Sequence, residues 1–173
     1  MDALVVIDVQ SGMFGFPGLP PHDGEAVVGR IAGLLSQARA KGVPRFFVQH
    51  AGSKGDALEA GTPGFAFRSE IAPQDGESVT VKRHCSAFQQ TDFDGILKRA
   101  DIDHLIVCGM QTEFCVDTAV RAACERGYRV TLVSDAHTTF DTKALAAPGI
   151  IAHHNATLGS GFAALKTAEE IVF

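Results

Sequence analysis

The sequence has no tryptophan and one tyrosine, and only 20% of its 173 residues are charged. It also lacks repeats, low-complexity tracts and long apolar runs. The first apolar stretch, Ala3 to Val9, is short, has no basic flank and contains Asp8, which argues against a signal peptide or a membrane span. We therefore expect a single domain over residues 1–173, long enough to bury a sizeable core and cytoplasmic in location.

The chain has no cluster of lysines and arginines, and its formal net charge is -5. A protein with that charge pattern has no electrostatic footprint for nucleic acid or an anionic membrane surface. The expected partners are therefore a small-molecule substrate and further copies of the chain, as a homodimer or a higher homo-oligomer.

The four cysteines show no C-x-x-C pair and no zinc-finger spacing, so we expect reduced thiols and no metal. Packing explains Cys108, in an apolar strand, and Cys124, on a helix. Cys85 follows a basic cluster and is compatible with a place near a pocket without a chemical role. The glycines after the first strand do not open a helix as a phosphate-binding loop would, so no cofactor is expected.

Strand-like and helix-like segments alternate along the chain, and the strands read as nearly continuous Val, Ile and Leu runs. This pattern is typical of a parallel sheet covered on both faces, a doubly wound α/β domain. The predicted strands are Ala3 to Val9, Val43 to Gln49, Ser78 to Lys82, His104 to Gly109, Arg129 to Ser134 and Phe162 to Lys166. The predicted helices run from Glu25 to Lys41, from Thr91, from Cys115 to before Gly127, and from Pro148. The segment from His50 to Gln74 is long for a connection and is interpreted as a binding loop or an oligomer contact.

Ligands of such sheets bind beyond the carboxyl ends of the strands, where the strand order reverses. Polar residues lie at or just after the ends of four of these strands: Asp8, Gln49, His50, Lys82 and Asp135. A carboxylate within an apolar strand pattern needs a partner, because burying an unpaired charge is costly. Asp8 is therefore either a structural cap of a neighbouring loop or a catalytic group.

Cys115 lies where an apolar strand passes through a tight turn into a helix. A helix N-terminus favours a thiolate, so this position predicts a nucleophile with a lowered pKa. The alternative is a buried cysteine that packs as a small hydrophobe.

The segments VVIDVQ, VKRHCSAF, CGMQTEFCVDTAVRAACERGYRVTLVSDA and HHNATL together resemble the isochorismatase-like superfamily of cysteine hydrolases. The resemblance implies a three-layer fold with a mainly parallel six-stranded sheet in the order 3-2-1-4-5-6. It implies that Asp8, Lys82 and Cys115 form the catalytic triad. It further implies a cis peptide bond between Met110 and Gln111, and an oxyanion hole built from the N–H groups of Gln111 and Cys115.

Two departures from subfamily patterns narrow the expected chemistry. The metal-binding Asp-x-His of nicotinamidases is absent, because the corresponding residues are Val48, Gln49 and His50. The chain also has a cysteine at the position of the nucleophile, which isochorismate-cleaving members commonly lack. Within the family, the sequence most resembles the short members and the streptothricin-hydrolase-like amidases. The resemblance therefore favours an amidohydrolase that forms a thioester and cleaves an amide, cyclic amide or carbamoyl C–N bond. A vinyl-ether hydrolase of the isochorismatase type and a non-catalytic binding protein remain as alternatives. Candidate substrate-binding residues are Gln10, Phe14, His50, Phe88, Gln111 and Phe114, and each phenylalanine is equally compatible with the core.

Overall fold

The computed structural model describes residues 1–173 and contains one six-stranded sheet. The strands run in the order β3-β2-β1-β4-β5-β6, and every neighbouring pair is parallel. Their bounds are β1 Asp2–Ile7, β2 Arg45–His50, β3 Ser78–Lys82, β4 His104–Met110, β5 Arg129–Thr138 and β6 Ala164–Lys166. The predicted doubly wound fold and its strand order are confirmed.

Four helices cover the two faces of the sheet. They are α1 Gly24–Ala40, α2 Phe93–Arg99, α3 Asp117–Glu125 and α4 Ala147–Gly159. The buried face of α1 packs in a core cluster with Leu4 and Val6 of β1, whereas α2, α3 and α4 share a second cluster with Val5 and Ile7. Because successive strand residues point to opposite faces, β1 contributes to both clusters and has no exposed face. No helix combines the length and the apolarity needed to cross a membrane.

Most predicted element ends differ from the structure by one or two residues, and the largest difference is at the end of β5. Strand β5 continues to Thr138, four residues beyond the predicted end at Ser134. Helix α3 begins at Asp117, because a separate wide turn over Thr112–Val116 precedes it and contains Cys115. Helix α4 begins at Ala147, so Pro148 is its second residue, where a missing N–H is still tolerated.

Strands β1 and β4 approach each other closely at Gly109, which pairs with Ile7. Gly109 has a φ of 130°, and a Cβ atom there would lie 2.1 Å from the Ile7 carbonyl oxygen. Only glycine fits this position, because any side chain would collide with the backbone of the neighbouring strand. The close approach occurs one residue before Asp8 on β1 and just ahead of the Cys115 turn on β4.

Candidate active site

Four chemically capable side chains meet at the carboxyl end of the sheet. Asp8 follows β1 directly, His50 and Lys82 are the last residues of β2 and β3, and Cys115 lies in the turn after β4. His50 and Lys82 are register partners on adjacent strands. The parallel sheet therefore brings residues 107 positions apart in the sequence to one place, at the reversal of strand order between β1 and β4.

The Lys82 side chain is fully buried and is the centre of the cluster. Its ammonium nitrogen lies 2.6 Å from Asp8 Oδ2, 3.1 Å from Cys115 Sγ and 3.2 Å from His50 Nδ1. An ammonium group has three N–H donors and no acceptor, so these three contacts use its whole capacity. Burial acts to lower the pKa of Lys82, but the negative charge of Asp8 and the contacts with Asp8 and Cys115 outweigh it and raise that pKa. Lys82 is therefore a cation at neutral pH.

Asp8 is fully buried and has a backbone φ of 51°, in the left-handed region. Its backbone N–H donates to the Val48 carbonyl, which attaches the residue to the neighbouring strand. Burial raises the pKa of Asp8 above its ordinary value, and the charge of Lys82 acts in the opposite direction. While Oδ2 faces the ammonium, Oδ1 has no hydrogen-bond partner in the protein. A carboxylate with a raised pKa and a free oxygen is suited to accept a proton.

Cys115 is buried, and its pKa is raised rather than lowered. Burial is the largest cause and the negative charge of Asp8 is the second, while Lys82 acts in the opposite direction. The prediction of a lowered pKa from the helix N-terminus is therefore wrong, because the turn that contains Cys115 is buried beside a carboxylate. The resting group is a thiol, so a nucleophilic role requires a base close by.

His50 contacts the same ammonium from the side of the cavity. Since the Lys82 ammonium can only donate, His50 Nδ1 must be the acceptor and the ring proton resides on Nε2. Burial and the charge of Lys82 lower the pKa of His50. His50 is therefore a neutral imidazole at pH 7 with one N–H left to donate.

A cavity of about 530 Å³ lies over the cluster. Asp8, His50, Gln111 and Cys115 line it together with Phe114, so the structure brings the predicted nucleophile to a space that a small molecule can occupy. The Met110-Gln111 peptide bond is cis, as predicted. The backbone N–H of Gln111 makes no hydrogen bond within the protein and is free to bind an oxyanion.

Three of the predicted substrate-binding residues do not line the cavity. Gln10 is fully buried and its amide joins the chain segments at His50 and Phe65, donating to both carbonyls and accepting the His50 N–H. Phe14 packs beneath the guanidinium of Arg68. Phe88 is a core residue whose ring packs against that of Phe93 in a tilted arrangement. Phe88 therefore fulfils the alternative core interpretation, Phe14 is half-buried against the core, and Gln10 positions His50 without reaching the cavity.

Much of the cavity wall comes from residues that sequence reasoning did not single out. They are Met13, Phe16, Leu19, Asp56, Ala57, Leu58, Glu113, Phe140, Asp141 and Thr142. Glu113 could have been predicted as a wall residue, because it lies two residues from the predicted nucleophile. Phe140 and Asp141 follow the unforeseen extension of β5, and the segment over Asp56 to Leu58 belongs to the long loop interpreted as a binding loop. Cys85 also lines the cavity and is exposed.

Asp8, His50 and Cys115 each offer one donor atom, all within 4.8 Å of one another, in an arrangement a metal ion could in principle use. The Lys82 ammonium already contacts all three residues at 2.6 to 3.2 Å. A divalent cation would compete with this buried positive charge for the same donors. The donor set is therefore better matched to the ammonium than to a metal.

Comparison with known proteins gives a consistent family assignment. The profile of the Isochorismatase domain matches residues 2–156. The isochorismatase family protein YddQ of Bacillus subtilis is 34% identical over 173 aligned positions, with 96% of both chains covered. Streptothricin hydrolase of Streptomyces noursei is 34% identical over 99% of this chain and 67% of its own length.

Two further comparisons extend the match. Ureidoacrylate amidohydrolase RutB of Azorhizobium caulinodans is 28% identical, with 78% of this chain and 74% of its own length covered. A crystal structure of an isochorismatase hydrolase from Oleispira antarctica superposes with a TM-score of 0.92 at 29% identity, covering 98% of this chain and 94% of that one.

These comparisons, together with the doubly wound parallel sheet and the buried polar cluster beneath a cavity, identify a hydrolase of the isochorismatase type. The chain belongs to the isochorismatase family.

Proposed function

We propose that this protein is a cysteine-dependent hydrolase that cleaves a C–N bond of a small amide, cyclic amide or carbamoyl compound through a thioester. The observation that carries the proposal is the position of the Lys82 ammonium, within 3.1 Å of both Asp8 Oδ2 and Cys115 Sγ beneath a cavity. This geometry joins a base, a cation and a nucleophile in one buried cluster. Amide cleavage by a relative is indicated by the name of ureidoacrylate amidohydrolase.

In the acylation step, Asp8 accepts the thiol proton of Cys115 and the thiolate attacks the carbonyl carbon of the substrate. The raised pKa of Cys115 makes this base necessary, and the Lys82 charge stabilises the thiolate as it forms. The tetrahedral oxyanion is bound by the N–H groups of Gln111 and Cys115, of which that of Gln111 is free. The C–N bond then breaks, and the departing nitrogen takes the proton from Asp8.

In the deacylation step, Asp8 again acts as a base and removes a proton from a water molecule. The resulting hydroxide attacks the thioester, and the C–S bond breaks to give a carboxylic acid and the Cys115 thiolate. Asp8 returns the proton to the thiolate, so the enzyme regains its resting protonation state. The raised pKa of Asp8 suits this repeated exchange, because a higher pKa makes the carboxylate a stronger base.

The proposal is tested by a screen for ammonia release over a library of carboxamides and ureido compounds. Cys115→Ser serves as the blank, because it keeps the size of the side chain but lacks the thiol nucleophile. We expect ammonia from the unmodified protein and none above background from Cys115→Ser. Pyruvate release from a vinyl-ether substrate without any ammonia-releasing activity would instead support the isochorismatase type of reaction. Equal turnover by the variant would remove Cys115 from the mechanism.

A further inference from the structure

The cavity over Cys115 has an uneven charge. Three carboxylates outside the triad line it, Asp56, Glu113 and Asp141, and no lysine or arginine is among its lining residues. The Lys82 charge lies below the floor and is already in contact with Asp8, Cys115 and His50. A ligand in the cavity therefore meets negative charge that no side chain in the wall balances.

None of the three wall carboxylates takes part in an ion pair. Asp56 Oδ1 accepts the Leu58 N–H at 2.8 Å, and Asp141 Oδ1 accepts the N–H of Ala147 at 2.8 Å. Both side chains belong to exposed residues and retain a free oxygen. The carboxylates of Asp56 and Asp141 are thus each positioned by a backbone donor and remain available to a ligand.

Glu113 carries the strongest indication. Its Oε1 accepts the Thr139 hydroxyl at 2.9 Å, whereas its Oε2 is buried and has no partner. A buried carboxylate oxygen without a donor costs free energy, and such an atom calls for a partner that the protein itself does not supply. Glu113 lies two residues before Cys115 in the sequence, and both residues line the cavity.

A second carboxylate beside the same cavity is also incompletely paired. The Asp8 side chain is fully buried beside the cavity, and its Oδ1 has no hydrogen-bond partner while its Oδ2 faces the Lys82 ammonium. Two carboxylates at the cavity, one in the predicted triad and one in the wall, thus each have a buried oxygen without a donor.

The remaining wall is apolar and largely aromatic. Phe16, Leu19 and Phe114 are 41%, 42% and 50% exposed although they are large hydrophobic residues. Phe16 meets Phe140 edge to face, with ring centroids 5.7 Å apart. Such rings cover the carbon chain of a ligand, and their faces also attract cations.

We propose that the substrate is a cationic, amphipathic amide, one with an ammonium or guanidinium group joined by an apolar segment to the scissile carbonyl. The Glu113 carboxylate pairs with the cation, while the phenylalanine rings cover the apolar segment. This inference rests on the proposed function and adds the class of substrate to it. An anionic substrate is disfavoured, because it would meet three like charges without a counter-charge in the wall.

The test uses three amides of similar length: 6-aminohexanamide as the cation, heptanamide as the neutral isostere and adipic acid monoamide as the anion. We expect kcat/KM to fall in that order, with the cation favoured at least about tenfold over the neutral amide and less at high salt. Glu113→Gln keeps the acceptor for Thr139 and should remove most of the preference, chiefly through a higher KM for the cation. The neutral amide should change less than about twofold in that variant.

Glu125→Gln is the matched control, because it removes the same charge from an exposed position at the end of α3 that does not line the cavity. This control variant should leave kcat/KM for all three amides unchanged. Asp141→Asn, which also keeps its backbone acceptor, should weaken the preference as well and covers the case in which Glu113→Gln does not fold. A preference for the neutral or anionic amide, or a cation preference unaltered in both variants, would overturn the inference.

Binding separates this inference from the proposed function. If no amide is hydrolysed, titration of the three compounds into Cys115→Ser still measures the order of affinity. The inference would be supported, even though the proposed reaction fails, if 6-aminohexanamide binds most tightly and loses that advantage when Glu113→Gln is added to Cys115→Ser. No binding, or tighter binding of the anion, would contradict it.

Discussion

At the residue scale, the account depends on Lys82 as a buried cation with all three donors occupied. Lys82→Met would leave Asp8 buried without a counter-charge, which raises the pKa values of both Asp8 and Cys115. We expect kcat/KM to fall at least about 100-fold and the free energy of unfolding to fall by about 3 to 5 kcal/mol. Kinetics and chemical denaturation of the purified variant measure both.

Lys82→Arg tests whether charge alone suffices. A planar guanidinium keeps the charge but cannot place one nitrogen within reach of three different partners in the space of an ammonium. Lys82→Arg should therefore have a higher free energy of unfolding than Lys82→Met. Its kcat/KM should remain nearly as low. Near-normal turnover in Lys82→Met would remove Lys82 from the mechanism.

The pH dependence reports on Asp8. Its carboxylate must be ionised to accept the thiol proton, so activity is lost as the pH falls through its pKa. Since burial raises that pKa above the ordinary value of 3.8, the acid limb of kcat/KM should lie above pH 3.8. The variant His50→Gln distinguishes titration of Asp8 from titration of His50. If Asp8 causes the acid limb, the variant should retain that limb. An acid limb that vanishes in His50→Gln would assign the titration to His50 instead.

Sequence reasoning singled out the three predicted triad residues but not the protonation of Cys115. Asp8, Lys82 and Cys115 each follow or end an apolar strand, and it is the family resemblance that predicts a triad from them. The pKa of Cys115 depends on burial and on Asp8, a residue 107 positions away, and no local pattern contains that information. Phe14 and Phe88 show the same limit, since a phenylalanine in the core and one in a cavity wall look alike in sequence.

At the scale of elements, Gly109 allows the close pairing of β1 and β4 beneath the site. Gly109→Ala combines a positive φ with a collision against the Ile7 carbonyl, so it should destabilise the fold by about 3 kcal/mol or more. Gly29→Ala is the matched control, because it lies on the exposed side of α1 with no atom near a new Cβ. Thermal denaturation should show a small stabilisation of about 0.5 to 1 kcal/mol in the control. Equal stability of the two variants would contradict the role of Gly109.

Glu77 joins α1, β2 and the start of β3. Its carboxylate binds Arg39 at 2.8 and 2.9 Å and Arg45 at 2.8 Å, and its side chain is 3% exposed. Burial acts to raise the pKa of Glu77, but hydrogen bonds from Arg39, the Gln74 N–H and Arg45 prevail and lower it to about 2. The resulting stability is present above pH 4.5, the ordinary value, and is lost as the pH falls toward 2.

Glu77→Gln should therefore lower the free energy of unfolding by about 2 to 3 kcal/mol at pH 7. The difference from the unmodified protein should shrink as the pH falls below 4.5. Denaturant titrations at pH 7 and pH 3.5 measure both values, with Glu125→Gln as an exposed control expected within about 0.5 kcal/mol of the parent. A difference that is independent of pH would exclude the carboxylate charge as its source.

The strands and α1 were predictable because apolar patterns and glycine stops act locally. The extension of β5 to Thr138 was not, since its last residues are polar, although they are buried: His137 is flanked by Thr112 and Asn155. The helix predicted from Cys115 includes the last two residues of the wide turn over Thr112–Val116. From Cys115 onward the apolar residues follow helical spacing, whereas the Val116 N–H donates to the Gln111 carbonyl five residues earlier.

At the scale of the whole molecule, the three-layer fold follows from alternating strand and helix patterns, and its switch point follows from the strand order. The cavity does not follow from such patterns, because its wall combines segments that are distant in sequence. Among them are the turn at Phe16 and Leu19, the loop at Asp56 to Leu58, and the residues after β5. The predicted homo-oligomer stays a prediction.

The central claim is that Cys115 forms a covalent thioester during hydrolysis. The most direct measurement is intact mass spectrometry of the protein quenched in acid during turnover of an amide that releases ammonia, followed by peptide mapping. The account predicts an added acyl mass on the peptide that contains Cys115, removed by hydroxylamine and absent from Cys115→Ala. The exposed Cys85 should remain unmodified. Turnover without any acyl adduct on Cys115, or an adduct that persists in Cys115→Ala, would contradict the account.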